Sequence, residues 1–398
     1  MKHFVGIDNS KLTHSVSIID ENGNLLKTFD VENDYSGFEK LQKLINNFEN
    51  PVIAFELPHG PLVDFLRRLP YKMFSLNPLK VKRFKEIYSV SGDKTDKVDS
   101  NAIAQYIRIN EKQSKELIFN SPEIETLKIL GISHDRLTKD HTRYSLRLIF
   151  ILRQYFPLYD DLFHDSASKI LLKLIQKYPT WAVLASESSE NLTSFLISNN
   201  YRNGKYIQKV LAKMQAYKHC IMPETEIALS MEAVAIASIL LTLKDQLALI
   251  EKRMAEISKS NPIGEILYTL PGAGIIIASK LLGVLGDNKT RFSKANHVQC
   301  LFGTAPMNYQ SGGYHKVIMR KACNKKGKSI LYVFAFSSLR FSKWARDYYD
   351  KQRKLGKRHS VAIRALSNKW LKIIYSMWLN QTEYSDNIFK NKRTSNAA

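Results

Sequence analysis

The first hundred residues alternate short apolar runs with helical periodicity. The runs at Phe4 to Asp8, Ser15 to Ile19 and Leu25 to Val31 predict three strands, with Asp20-Glu21-Asn22-Gly23 as the turn between the second and third. Ser36 and Glu39 stand at capping-box spacing, and Phe38, Leu41, Leu44, Ile45 and Phe48 follow at helical period. A buried strand over Val52 to Glu56, a short helix after Pro61, a strand over Met73 to Leu76 and helices from Pro78 and Asp96 complete the series. Three strands in hairpin order followed by helix, strand, helix, strand and helices is the order of an RNase H-like α/β domain, although pattern alone leaves other α/β folds open.

Beyond Lys112 the strand signals nearly vanish as far as Asn261. Arg136 to Tyr155 is a long basic helical stretch, and Met231 to Ile257 carries Leu, Ile and Met at helical spacing, which predicts a helical region with antiparallel coiled-coil character. Pro157, Pro179 and Pro223 divide it. The last part opens on Leu270-Pro-Gly-Ala-Gly-Ile-Ile-Ile-Ala-Ser-Lys-Leu-Leu282, where paired glycines permit the tight turn of a helix-hairpin-helix whose N–H groups meet phosphate. It continues through the Gly-rich turn Tyr309 to Gly313 and a basic run from Arg320 to Lys328. It ends on a helix with Ile363, Leu366, Trp370, Ile374 and Met377 on one face, and a polar, frayed tail after Glu383. These divisions predict domains over 1–112, 113–262 and 263–398, the first α/β and the other two mainly α-helical.

The formal net charge of +22 on 398 residues points to a polyanion, nucleic acid before membrane. Three scattered cysteines, Cys220, Cys300 and Cys323, give neither a zinc ribbon nor a disulfide framework and fit a reducing cytoplasm. Met1-Lys-His-Phe-Val-Gly6 runs directly into a strand-like segment without the apolar core of a signal peptide, so none is expected. The longest uncharged apolar stretch, Ala233 to Leu243, falls short of the ~20 residues that span a bilayer. The expectation is a cytoplasmic, nucleoid-associated protein with no membrane partner.

Within the basic chain four acids stand out. Asp8 ends the first strand, Glu56 ends the fourth, and Asp96 and Asp99 sit three apart at a helix start. Residues at that spacing have Cβ atoms about 5–6 Å apart and face one point. Hard oxygen ligands on rigid elements suit Mg²⁺ or Mn²⁺, and paired ions stabilise both the entering and the leaving oxygen of a phosphoryl displacement. A purely structural account exists too: Asp96 as the helix cap, Asp99 in its favourable first turn.

Phe4-Val-Gly-Ile-Asp-Asn-Ser-Lys11, Ala54-Phe-Glu56 and Lys94-Thr-Asp-Lys-Val-Asp-Ser100 resemble the DEDD motifs of the bridge-RNA-guided insertion-sequence transposases, relatives of the Piv/MooV DNA invertases with a RuvC-like catalytic domain. Where those proteins usually have Ala after the last Asp, this chain has Ser100. The resemblance extends through the Leu270 to Leu282 segment, Arg291-Phe292, Cys300-Leu-Phe-Gly-Thr-Ala-Pro306 and Gln310-Ser311-Gly312, and loosens after Arg320. It implies that Asp8, Glu56, Asp96 and Asp99 hold the metal and that Ser311 is the covalent nucleophile. Its partners would be donor and target DNA and a structured guide RNA, and its active form a homodimer or tetramer. Gly272, Gly274, Lys280, Lys316 and Arg320 are the expected nucleic-acid contacts; Arg136, Lys139, Arg143, Arg147 and Arg153 either join them or line a solvated helix face. Three other readings are a Holliday-junction nuclease in which water attacks, an actin-like sugar kinase, and a non-catalytic nucleic-acid-binding protein. The kinase would need Gly-rich phosphate loops after its strands, which are not found.

Overall fold

A computed structural model describes residues 1–88, 95–163 and 165–386; Asp93, Lys94 and the end of the polar tail, residues 387–398, lie outside the described residues. The chain forms two compact units, Met1–Phe119 and Asn120–Ala398.

The first unit is built on strands β1 (His3–Asn9), β2 (Thr13–Ile19) and β3 (Leu25–Glu32), helix α1 (Tyr35–Ile45), β4 (Pro51–Phe55), α2 (Pro61–Leu66), β5 (Lys72–Ser75), α3 (Pro78–Tyr88) and α4 (Asp96–Asn110). The sheet order is β3-β2-β1-β4-β5, antiparallel across β1–β2 and β2–β3 and parallel across β1–β4 and β4–β5. This is the mixed sheet of an RNase H-like domain. Strand alternation sorts its two faces. Val5, Ile7, Ile53 and Phe55 pack on α1 and α2 through Phe38, Leu41, Leu62 and Leu66, while Phe4, Val52 and Ala54 pack on Ile103, Ala104 and Ile107 of α4. The capping-box expectation at Ser36 is corrected: α1 begins earlier, and the Asp34 carboxylate accepts from Gly37 N at 2.7 Å. The unit runs on to Phe119 because Glu116 bridges Phe74 and Leu117 N donates to Met73 O at 2.8 Å, adding Leu117 and Phe119 to the core.

Gly6 sets how closely α4 lies on the sheet. A Cβ there would stand 2.1 Å from Ser100 O and 2.5 Å from Ala104 N, backbone atoms that cannot swing aside. Gly6→Ala is therefore expected to destabilise the unit by about 1–3 kcal/mol or more, read as a fall in denaturation midpoint, because the added methyl must push the helix off the strand. Beside it, Ser100 Oγ meets Ser17 Oγ at 2.8 Å, which satisfies the hydroxyl that stands where the resembling proteins have Ala.

The second unit is mainly helical. Helix α5 (Pro122–Tyr155) is followed by α6 (Leu158–Leu162), α7 (Lys169–Lys177), α8 (Trp181–Ala185), α9 (Ser189–Ser198) and α10 (Gly204–Ala216), then the long α11 (Pro223–Lys259). Pro157 and Pro179 fall between helices, and Pro223 opens α11, where its missing N–H costs nothing. His134 pairs with Glu251 and Arg147 with Glu232, so α5 and α11 run antiparallel. One end of this pair enters a core with α7, α9 and α10; the other enters a core with the C-terminal helices. By length and composition α11 could cross a membrane, but Ala233, Ile236, Ala237 and Leu240 pack into the first of these cores.

The C-terminal part comprises α12 (Pro262–Tyr268), α13 (Ile275–Leu285), α14 (Ala295–Leu301), a hairpin of β6 (Pro306–Ser311) and β7 (Tyr314–Met319), and α15 (Lys325–Ser338), α16 (Lys343–Lys354) and α17 (His359–Asn380). Trp370 and Trp378 of α17 are fully buried at its centre. The hairpin is an addition to the mainly helical expectation.

Candidate active site and nucleic-acid interface

The acid set follows from strand register. β1 and β4 are parallel with Gly6 opposite Ala54 and Ile7 opposite Phe55, so Asp8 and Glu56 come next, side by side. Asp8 shares the face of Gly6 and Glu56 that of Ala54, the face on which α4 lies. Asp96 and Asp99 occupy the first turn of α4, whose following residue Ser100 sits over Gly6. The helix is capped by Thr95, whose hydroxyl accepts from Val98 N at 3.3 Å. Asp96 is thus not the cap, and the structural account of that residue is corrected.

Asp8 and Glu56 feel the neighbouring acids. Burial first, then Asp99 and Asp96, raise the Asp8 carboxyl above its ordinary range; Lys85 and His14 oppose them. Burial, then Asp8 and Asp99, raise Glu56. Lys85 of α3 forms an ion pair with Asp99. Beside this group Asn9 Oδ1 and both ring nitrogens of His14 are buried without hydrogen-bond partners. A set of hard oxygen donors under mutual repulsion fits a divalent cation. Among the described residues, however, no three such side chains already close into a ligand cluster.

Ser311 lies at the tip of the β6–β7 hairpin, exposed and paired with Tyr314 across Gly312-Gly313. Gly312 has φ +55°, the positive value that the first position of such a two-residue turn requires. Opposite residues share a face, so Ser311 stands with Tyr309, Tyr314 and Lys316, while His315 and Gln310 face the other way.

The expected nucleic-acid contacts divide. Gly274 caps α13 in open space, whereas a Cβ on Gly272 (φ +80°) would meet Phe341 at 2.9 Å and Ser337 Oγ at 3.0 Å. The second glycine leaves the helix end accessible and the first is needed for packing. Lys316 is exposed on β7 and Arg320 is half-buried with its Nε unpartnered. Lys280 is placed otherwise than expected: its ammonium is half-buried, 2.6 Å from Asp135 and 2.9 Å from His134 Nδ1, and is engaged within the fold. Arg143, Arg147 and Arg153 pair with Asp140, Glu232 and Asp160. Arg136 and Lys139 instead gather with Lys326, whose ammonium is pushed down by burial and by those two cations. Arg291 donates to the terminal carbonyls of Val284 and Leu285 at 2.8 and 2.9 Å, closing α13.

A family model described as a transposase, of the DEDD type named for IS110, matches residues 5–157, and the model of the transposase IS116/IS110/IS902 family matches residues 264–350. The chain belongs to the IS116/IS110/IS902 family of transposases. Similar proteins include one from the IS117 mini-circle of Streptomyces coelicolor, 25% identical over 391 residues and 92% of each chain. The IS110 43.6 kDa protein of the same organism is 24% identical over 388 residues, 96% of this chain and 95% of that one. The IS900 42 kDa protein of Mycobacterium paratuberculosis is 23% identical over 388 residues and 96% of each. Among solved structures, T. thermophilus RuvC in complex with a Holliday junction substrate aligns over 29% of this chain and all of its own, at 13% identity and a TM-score of 0.24. As an IS116/IS110/IS902 transposase, the chain has residues with no individual signal in its sequence. Lys85 is reached only through the packing of α3 near α4, and Gly6 only through the approach of α4 to β1.

Proposed function

We propose that this transposase cuts and rejoins DNA by phosphoryl transfer at Asp8, Glu56, Asp96 and Asp99, with Ser311 as the covalent nucleophile. The observation that carries the reading is the adjacency of Asp8 and Glu56 beneath the first turn of α4, where burial and then the neighbouring acids raise both carboxyls. These four carboxylates would hold divalent cations, Mg²⁺ or Mn²⁺, which supply charge stabilisation at the entering and leaving oxygens. Ser311 Oγ bonds to phosphorus as the P–O3′ bond breaks, giving a 5′-phosphoserine ester and a free 3′ hydroxyl. The serine proton is lost to solvent and the leaving oxygen takes one up. Attack by the 3′ hydroxyl of the exchanged strand reverses the step and restores Ser311, so rejoining needs no ATP.

The acids and the serine belong to different units, and both must act on one phosphate in the assembled complex. That complex is an even-numbered oligomer, a dimer or tetramer, with donor and target DNA. Exposed Leu146 and Phe150 on α5 and Ile227 and Met231 on α11 support joining through these helices. A structured guide RNA is the further partner carried by the family resemblance. Strand cleavage is expected in Mg²⁺ and absent in EDTA, with cleavage restored on adding excess Mg²⁺. Full cleavage in the chelator contradicts the proposal.

A further inference from the structure

Residues 320–372 contain 16 Lys and Arg against 2 Asp, so this stretch carries +14 of the chain's +22. Among the described residues its one ion pair joins Arg346 to Asp350. In the middle of this charge the fold exposes rings. Tyr332 and Phe336 lie one turn apart on α15, 36% and 54% exposed, with Val333 beside them at 51%. His359, the first residue of α17, is ringed edge-on by Tyr332 at 6.3 Å, Phe336 at 5.8 Å and Tyr349 at 5.7 Å between centroids. The Tyr349 hydroxyl meets His359 Nδ1 at 2.8 Å, which holds the imidazole in place. Just past α15, Phe341 is 62% exposed beneath the Arg340 guanidinium.

The geometry points to a stacking platform on α15 and the start of α17 that takes unpaired bases of a single DNA strand. A second copy of this face is a poor occupant, because a two-fold contact would bring two copies of this strongly basic stretch together. A polyanion is the complementary partner. Duplex DNA offers this face phosphates only, since its base faces are hidden in the stack. A phenylalanine ring has no hydrogen-bonding group and engages a base through its π-face, as in the aromatic platforms of single-strand binders. The choice of DNA rests on the strand-exchange reading above, in which cut strands must leave one duplex before joining another.

The test measures binding of the full chain to a labelled 20-nucleotide oligothymidylate, to a DNA duplex of equal length, and to the matching oligouridylate. Tyr332→Ala with Phe336→Ala is expected to weaken the single DNA strand about tenfold to hundredfold, while duplex binding changes less than twofold. Phe336→Trp should retain the single-strand affinity. Both rings are partly exposed but touch His359, so at most a modest fall in melting temperature is expected, and any general loss of fold would weaken single strand and duplex alike. Equal losses on single strand and duplex, or no loss on either, overturn the platform. Tighter binding of the oligouridylate than of the oligothymidylate, lost in the double variant, overturns the choice of DNA. Dissociation of an oligomer with single-strand affinity unchanged makes the face a protein interface. Ser311→Ala should leave this binding intact, so a chain that binds the strand but never cuts DNA counts against the proposed function alone.

Discussion

Asp8→Asn lowers strand cleavage about a hundred- to a thousandfold or more, while the protein stays folded and becomes more stable without metal. Asp8 sits half-buried between Glu56 and the first turn of α4, and its raised carboxyl reflects burial first and then the field of Asp99 and Asp96. A raised acid binds its proton more tightly when folded than when unfolded. Its contribution to stability is therefore present below the ordinary carboxylate range and is lost as pH rises through the raised folded value. At neutral pH the charged Asp8 costs stability, and asparagine removes that cost while keeping the shape. The expected results are a fall in cleavage of about a hundred- to a thousandfold or more, the scale for losing one preorganised electrostatic group, and a higher melting temperature in EDTA. The gain should shrink as pH falls through the raised folded value and be gone below the ordinary carboxylate range. Cleavage assays and thermal melts across pH, on wild type and variant, check both. Glu56→Gln should behave alike, since its shift has the same leading cause.

Ser311→Ala removes strand joining and leaves DNA affinity within about twofold. The hairpin tip is exposed and its turn is set by Gly312 and Gly313, so losing one hydroxyl disturbs no packing. Binding is expected to rest on phosphate contacts elsewhere on this strongly basic chain. A serine hydroxyl is a poor nucleophile at neutral pH, and no imidazole shares its face of the hairpin, so in the proposed reaction it would be activated at the acid set. Recombination of two marked DNA duplexes should fall below detection, with electrophoretic mobility shifts unchanged. Ser311→Cys, which keeps a nucleophile, should retain more activity than alanine.

Much of this was legible in the chain because it depends on local signals. Phe4 to Asp8 and Val52 to Glu56 read as strands that end on acids, and the sheet places those ends side by side. The helix starting at Asp96 was legible, but its cap was not, since Thr95 and Asp96 are both good caps and only the backbone shows which hydrogen bond forms. Gly6 gave no sign of its role, because the need for a missing Cβ comes from a helix ninety residues later. The β6–β7 hairpin did carry a signal, two residues of Gly-Gly between β-prone runs, which a reading of Ser-Gly-Gly as a plain flexible turn passes over. Lys280 shows the opposite limit. α13 is apolar on nearly every side, so periodicity could not tell whether its lysine faced solvent or the acids of α5.

The account stands most directly on the bond between Ser311 and DNA. Wild-type protein incubated with Mg²⁺ and cleavable DNA, denatured, digested and read by mass spectrometry should yield a peptide carrying a 5′-nucleotide on Ser311. The same digest from Asp8→Asn should yield that peptide unmodified. Cut DNA bearing a free 5′-phosphate, with Ser311 unmodified throughout the reaction, would contradict the account and assign the attack to water.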